Sequence, residues 1–367
     1  MIEKKRCYGC GAIIQNEDSK QAGYVPASVL NNEKIICQRC FKIKNYHQLV
    51  KSNLSKDDFL SIMQGIAEKD SLIIYLIDIF DFNGSMISGI QRHLLNNDII
   101  VVANKRDVLP KSIKDTKIKD WIKGQLKEYG LQPLDIVLIS AKKNYYLDDL
   151  MDVIQTYRKD RDVYVVGVTN VGKSSLINAL LKHYTEDSSD FLITTSEFPG
   201  TTLDIIRIPF DKSNSLYDTP GIINEFQMAH YIDEKELKII TPNSELKPKT
   251  FQLQPRQTLY FGGLARMDFE SGENSSFICY FPPLLEIHRT KLENADTLYN
   301  RGFTLKPTIA SIETIEDMAT HTFTLNNDKK TDIVISGLGW VSVHAKQQKI
   351  TIKAPIGVGV MLRKALI

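Results

Sequence analysis

The sequence predicts an α/β protein: a parallel-sheet domain preceded by a small cysteine-bearing module and followed by a mainly β domain. Three observations predict it. Residues 1–50 hold four of the five cysteines, with eight Lys or Arg against four acids. From 51 to 241, apolar runs alternate with amphipathic helical patterns, the rhythm of buried parallel strands joined by crossover helices. From 242 to 367 the chain turns to β-branched and aromatic runs with Gly and Pro between and within them. The domains therefore read as 1–50, 51–241 and 242–367.

The bulk numbers agree with this division. A chain of 367 residues fits two or three domains. A composition of 43% hydrophobic and 25% charged residues is that of an ordinary globular protein, and a net charge of +2 does not by itself announce a nucleic-acid binder. No apolar run reaches the roughly 18 residues of a membrane span. "MIEKKRCYGCG" carries positive charge but lacks the apolar core of a secretory signal. A reducing cytoplasmic location without a membrane partner is the expectation, and structural disulfides do not suit it.

In the first module, Cys7-x2-Cys10 and Cys37-x2-Cys40 are separated by 26 residues. Four thiolates suit tetrahedral Zn²⁺, and two matched pairs favour a metal over a redox dithiol. The separation exceeds the roughly 15–20 residues of common double-pair sites, so a longer, treble-clef-like loop is implied. With all four positions filled by protein, the zinc is structural rather than catalytic. Lys4, Lys5, Arg6, Lys34, Arg39, Lys42 and Lys44 are interleaved with Tyr8, Phe41 and Tyr46. That mixture suits either phosphate contact with base stacking or a solvated basic surface.

The second stretch carries the chemistry. "SLIIYLID" (71–78), "DIIVVANK" (98–105), "LDIVLISA" (134–141) and "DVYVVGV" (162–168) read as parallel strands. The last runs into Gly167-x4-Gly172-Lys173-Ser174, followed by "SLINALL". Glycines let such a loop turn its N–H groups onto phosphates. Lys173 supplies charge to the β/γ oxygens, Ser174 can ligate Mg²⁺, and Ser175 belongs to the same turn. Asn104-Lys105-Arg106-Asp107 stands at the end of an earlier strand. The Asp107 carboxylate there can accept from the two donors that guanine presents and adenine lacks. Asn104 can tie the element to the phosphate loop, and the stem of Lys105 can cover the base. Ser140-Ala141-Lys142, after the next strand, supplies a backbone N–H for the base oxygen.

"LYDTPG" (216–221) places Asp218 at a strand end, where it can hold Mg²⁺ through water, and Gly221 within reach of a γ-phosphate. "FPGTT" (198–202) is a polar segment whose Thr201 or, preferably, Thr202 can close the Mg²⁺ shell when the γ-phosphate is present. Asp78 and Asp81 end a buried strand at the sheet's carboxyl edge, where ligands bind, and read in preference as caps of the following turn. Cys279, in "FICYF", reads as a core thiol.

These five elements resemble the G-motifs of translation-factor-like GTPases in the order G4, G5, G1, G2, G3. With a double CxxC module in front and a β-rich domain behind, the chain resembles the YqeH family of circularly permuted GTPases along essentially its whole length. The resemblance implies a circularly permuted P-loop GTPase domain flanked by a zinc-binding module and a β domain. Its nucleotides are GTP and GDP, with Mg²⁺. Lys173, Thr202 and Gly221 act in hydrolysis. The position after Gly221, where many switch GTPases place a water-orienting Gln, holds Ile222. Asn170 matches the position that helps hold K⁺ in potassium-activated relatives, with a purely structural role in an unusual turn as the alternative; slow turnover raised by K⁺ or a partner is the expectation.

The resemblance further implies ribosome assembly, with small-subunit precursor rRNA or ribosomal proteins as partners and an RNA-binding C-terminal domain. Residues 242–367 carry 15 Lys or Arg against 12 acids. Arg256, Arg266, Arg289, Lys291, Arg301 and Lys306 fall near Tyr260, Phe261, Tyr299 and Phe303. On one sheet face they would form an RNA platform; otherwise they are strand surface and core. Two alternatives stay open: a GTPase coupled to an RNA-modifying enzyme, and a switch in a protein-only complex. Because the chain runs on from Gly221 into the C-terminal domain, movement at the γ-phosphate would pass directly to that domain.

Overall fold

The computed structural model describes residues 5, 13–17, 23–30, 35, 37–38, 56–185, 194–197, 204–209, 213–233, 235–300, 306–309, 312, 314–326, 328–344 and 346–367. They fall into two compact units interleaved along the chain. The first comprises Met1–Asp78, Met86–Lys105 and Ile122–Ile223. The second comprises Ile79–Ser85, Arg106–Trp121 and Asn224–Ile367.

The first unit is built on a seven-stranded sheet. Its strands are β1 (Ser71–Asp78), β2 (Asp98–Asn104), β3 (Asp135–Leu138), β4 (Asp162–Val166), β5 (Thr194–Glu197), β6 (Asp204–Pro209) and β7 (Ser215–Asp218). Their spatial order is β3-β2-β1-β4-β7-β6-β5. The first five are parallel, and β6 and β5 are antiparallel additions. Every residue of the interior strand β1 is buried, as the apolar run Leu72–Ile77 demands when helices cover both faces. The helices include α1 (Lys56–Ala67), α2 (Ile90–His93), α4 (Leu147–Arg158) and α5 (Lys173–Thr185); α3 (Asp115–Glu128) crosses from the second unit into the first. Leu147, Leu150 and Ile154 recur at helical spacing on the buried face of α4. Strand β3 ends short of the apolar run that predicts it, because the chain turns back at Ser140, whose N–H donates to Tyr145 O at 3.3 Å.

The second unit contains two five-stranded antiparallel sheets. Their strands are β8 (Lys249–Leu253), β9 (Gln257–Phe261), β10 (Ala265–Ser271), β11 (Ser275–Tyr280), β12 (Ile287–Lys291), β13 (Met318–Leu325), β14 (Lys330–Ile335), β15 (Gly339–His344), β16 (Gln348–Pro355) and β17 (Val360–Lys364). The orders are β12-β9-β10-β16-β13 and β17-β14-β15-β11-β8. Phe261, Phe269, Phe277, Val341 and Ile350 share its core. Phe261 stacks on Phe281 with centroids 4.2 Å apart.

Segments that interrupt the first unit pack into the second. Phe82 meets Trp121 edge-on at 5.2 Å, and Phe80 lies 5.9 Å from Trp340. The Arg363 guanidinium sits 4.9 Å from the Trp121 ring and 5.0 Å from that of Trp340, and donates to Asn83 Oδ1 at 2.9 Å. Asp81 accepts from Gly84 N–H (3.2 Å), Gln227 Nε2 (2.8 Å) and Ser336 Oγ (3.2 Å). It caps its turn, as an Asp at that place suggests, and also anchors two distant segments. Cys279 is buried, and burial pushes its thiol pKa upward.

The aromatic and basic residues near β9 and β10 do not form one exposed platform. Tyr260 and Phe261 are fully buried. Arg266 is only 3% exposed. It is bound to Asp268 at 2.8 Å and Asp296 at 2.5 Å, and lies over the Tyr260 ring. Tyr299 stacks on Tyr260 at 6.1 Å and gives its hydroxyl to Gly263 O. Arg289, Lys291 and Lys306 are exposed; Arg301 and Phe303 lie outside the described residues.

Of the N-terminal cysteines, Cys37 is buried beside Val25 and Ile35. Cys7, Cys10 and Cys40 lie outside the described residues. Among the described residues, no group of three or more His, Cys, Asp or Glu is placed to hold a metal ion, and no helix is long and apolar enough to cross a membrane.

Candidate nucleotide site

The carboxyl ends of β1, β2 and β4 gather the site of the first unit, the edge at which open α/β sheets bind ligands. The loop from β4 to α5 needs its glycines for closeness as much as for flexibility. A Cβ on Gly167 would stand 2.6 Å from Leu76 O. Gly172 has φ +96°, and a Cβ there would meet Asn104 Nδ2 at 2.3 Å. Asn170 is exposed and left-handed at φ 66°, a region that Asn tolerates better than most residues. Ser174 and Ser175 lie in the first turn of α5, half-buried and exposed.

Asn104 joins three elements. Its Nδ2 donates to Val171 O of the phosphate loop at 2.8 Å, and its Oδ1 accepts from Ala141 N–H at 3.0 Å. The turn holding Ser140, Ala141 and Lys142 is closed by Tyr145 N–H onto Ser140 O at 3.1 Å and by Lys143 N–H onto Ser140 Oγ at 3.1 Å. Lys105, left-handed at φ 69°, gives its ammonium to Asp78 Oδ2 at 2.5 Å. Asp107 lies three residues beyond Asn104 in a 3-10 turn (Arg106–Val108) that belongs to the second unit. It is half-buried and accepts no hydrogen bond from another described residue.

On the phosphate side, Lys173 is buried and donates to Gly167 O at 2.9 Å and Val168 O at 3.3 Å. Gly221 fits beside it: a Cβ there would lie 2.5 Å from Lys173 Nζ. Burial pushes the Lys173 pKa down to about 8, against the pull of Asp218. It pushes Asp218 up to about 6, against the pull of Lys173. Asp218 Oδ1 is out of solvent with no hydrogen-bond partner among the described residues. A buried, unsatisfied carboxylate oxygen on an Asp that feels Lys173, the first residue of α5, fits Mg²⁺, whose water shell would satisfy it. Ile222 contributes through its backbone: its carbonyl accepts Thr169 N–H at 2.7 Å, pinning the segment after Gly221 to the phosphate loop. Thr201 and Thr202 lie outside the described residues.

The structure thus brings together Asn104, Lys105, Ala141, Gly167, Gly172, Lys173, Asp218 and Gly221. Sequence reasoning places Asp78 at the ligand-binding edge but prefers a capping role for it, and it passes over the Ile222 carbonyl. The signal for Asp78 is its place at the carboxyl end of a buried strand, and the structure sets it opposite Asn104; a backbone acceptor leaves no signal.

A phosphate loop on a parallel sheet, tied by an Asn to a second base-side turn and faced by a buried Lys and Asp, defines a P-loop GTPase. Residues 162–250 match the family model described as 50S ribosome-binding GTPase, and residues 274–366 that of the YqeH-like C-terminal domain. The chain is 53% identical over 369 residues to YqeH of Bacillus subtilis (strain 168), covering 100% of both. It is 30% identical to NO-associated protein 1, chloroplastic/mitochondrial, of Arabidopsis thaliana, over 92% of this chain and 69% of the relative. The chain belongs to the YqeH family. It is a GTPase, and GTP and GDP are its nucleotides. GNP-bound YlqF from T. maritima aligns with TM-score 0.30 and 17% identity, over 48% of this chain and 64% of that one. That match spans less than two thirds of the YlqF chain and is too slight to bear on the argument.

Proposed function

We infer that this GTPase is a nucleotide-controlled ribosome assembly factor acting on the small subunit through its precursor rRNA. The Asn104 bridge, which locks the phosphate loop to the base-side turn, carries the nucleotide half of the reading, and the match to the GTPase model carries the ribosomal half. The description of the matched GTPase model, 50S ribosome-binding, supports a ribosomal partner and makes the large subunit the competing target. Asp107 reads guanine, Ser174, Thr202 and Asp218 hold Mg²⁺, and Lys173 and the Gly221 N–H meet the β/γ-phosphates. In hydrolysis this chain's residues place charge rather than transfer protons, as phosphoryl transfer requires. Asn170 would hold K⁺, which would supply positive charge to the transition state. Equal turnover in K⁺ and Na⁺ would remove that role.

Cys7, Cys10, Cys37 and Cys40 form a structural Zn²⁺ site, for which their four-thiolate donor set is suited. The basic residues around it are the better candidates for RNA contact, since Tyr260, Phe261 and Arg266 are buried. The test is co-sedimentation with purified 30S and 50S subunits, with GDP or a non-hydrolysable GTP analogue, at two salt concentrations. Nucleotide-dependent binding to 30S is the expected result. Binding to 50S alone would move the target, and no binding in any state would overturn the ribosomal reading.

A further inference from the structure

We propose that Asp78 is a positioning residue for guanine recognition, holding the Lys105 ammonium so that the Lys105 stem is fixed before the base arrives. This rests on the reading of Lys105 as the residue that covers the base plane. Strands β1 and β2 pair in parallel with Asp78 opposite Asn104, so the carboxylate ends its strand beside the guanine-reading element. Asp78 Oδ2 lies 2.5 Å from Lys105 Nζ, with the two side chains 7% and 20% exposed. Such a pair is shielded from the screening that weakens surface ion pairs.

Two further features set this pair apart from an incidental one. Lys105 is held in the left-handed region at φ 69°, which a lysine rarely adopts, next to an Asn104 fixed by bonds at both ends of its amide. The backbone is therefore set, and the free variable is the long side chain. A lysine stem loses much rotamer freedom when a ligand immobilises it. A carboxylate that fixes its far end removes that loss from the binding step, which is preorganisation. Asp81, three residues on, accepts from Gly84 N–H and caps the following turn.

The experiment is GDP titration calorimetry on the full chain for wild type, Asp78→Asn, Lys105→Met and the double variant, with GTPase kinetics alongside. Met keeps an unbranched stem and removes the charge. Asp78→Asn and Lys105→Met should each weaken GDP about tenfold, the effect of freeing one long side chain. The double variant should be no weaker than Lys105→Met alone. KM for GTP should rise while kcat at saturation moves less than twofold. If Lys105→Met binds GDP as wild type does, anchoring the stem contributes nothing and the positioning role of Asp78 is overturned; the base-covering reading of Lys105 fails only if Lys105→Ala, which removes the stem, also binds as wild type does. If Lys105→Met weakens binding but Asp78→Asn does not, or the two losses add, the positioning role of Asp78 is overturned while that reading stands. Thermal melts check folding. Should Asp78→Asn not fold, Asp78→Glu carries the same test: it should bind GDP more weakly than wild type but more tightly than Lys105→Met, and a wild-type affinity would overturn the proposal.

Discussion

At the residue scale, Lys173 and Asp218 show a site that works against the fold carrying it. Asp218 has a folded pKa near 6, above the ordinary carboxylate value, because burial outweighs the help of Lys173. The folded protein then holds its proton more tightly than the unfolded chain. Asp218 therefore costs stability above about pH 6, and the cost fades as pH falls toward 4. Asp218→Asn should raise the melting temperature of nucleotide-free protein at pH 7.5 by about 2–4 °C per kcal/mol relieved, with the gain vanishing by pH 4. The same variant should lose the Mg²⁺-dependent part of GTP affinity. A lower melting temperature at pH 7.5 would refute the burial argument. Asn104 is the opposite kind of residue, since its amide satisfies both the phosphate loop and the base-side turn. Asn104→Ala leaves two buried groups unpaired, at about 1–3 kcal/mol each. GDP affinity should fall at least tenfold by calorimetry. Its tie to the phosphate loop was legible because the Asn-Lys-x-Asp spacing fixes the chemistry. The second bond, to Ala141, was not, because nothing in a sequence states which turn the other half of an amide will meet.

At the element scale, the strands were legible where one physical demand dominated. Strand β1 is buried from end to end and reads as one apolar run. Strands β10 and β16 were visible by texture, but their pairing was not, because antiparallel partners as far apart in sequence as Arg266 and Lys353 leave no local trace. Arg266 shows why a basic residue in a strand is a poor guide to a binding surface. It stands two residues from Asp268, hence on the same face of β10, and the pair is buried together. That spacing was readable beforehand as internal neutralisation. Removing one partner from a buried pair typically costs about 3–5 kcal/mol, whereas replacing both by apolar groups of similar size can be neutral. Asp268→Leu alone should therefore destabilise by about 3 kcal/mol in urea denaturation. Arg266→Met combined with Asp268→Leu should recover most of that loss. A double variant as unstable as the single one would show that the pair does more than neutralise itself.

At the scale of the whole molecule, the motif order was legible and the interleaving of the two units was not. Segments 79–85 and 106–121 follow strands of the first unit, yet Phe82 and Trp121 bury their rings in the second. A short apolar sequence does not announce which core will take it. The consequence is topological. The chain passes between units at Asp78–Ile79, Ser85–Met86, Lys105–Arg106, Trp121–Ile122 and Ile223–Asn224. Strands β1 and β2 are therefore each followed, directly or after Lys105, by a segment of the second unit. Both tryptophans of the chain, Trp121 and Trp340, flank Arg363 in the second unit, so their fluorescence reports that unit alone. GDP at about 100 times its Kd stabilises the state it binds by about 2.7 kcal/mol. If the units melt as one, that stabilisation should shift the tryptophan transition upward by the same amount as the far-UV circular dichroism transition. A tryptophan midpoint indifferent to GDP, with a circular dichroism curve that splits in two, would mean that the crossings act as slack linkers and that the units unfold separately.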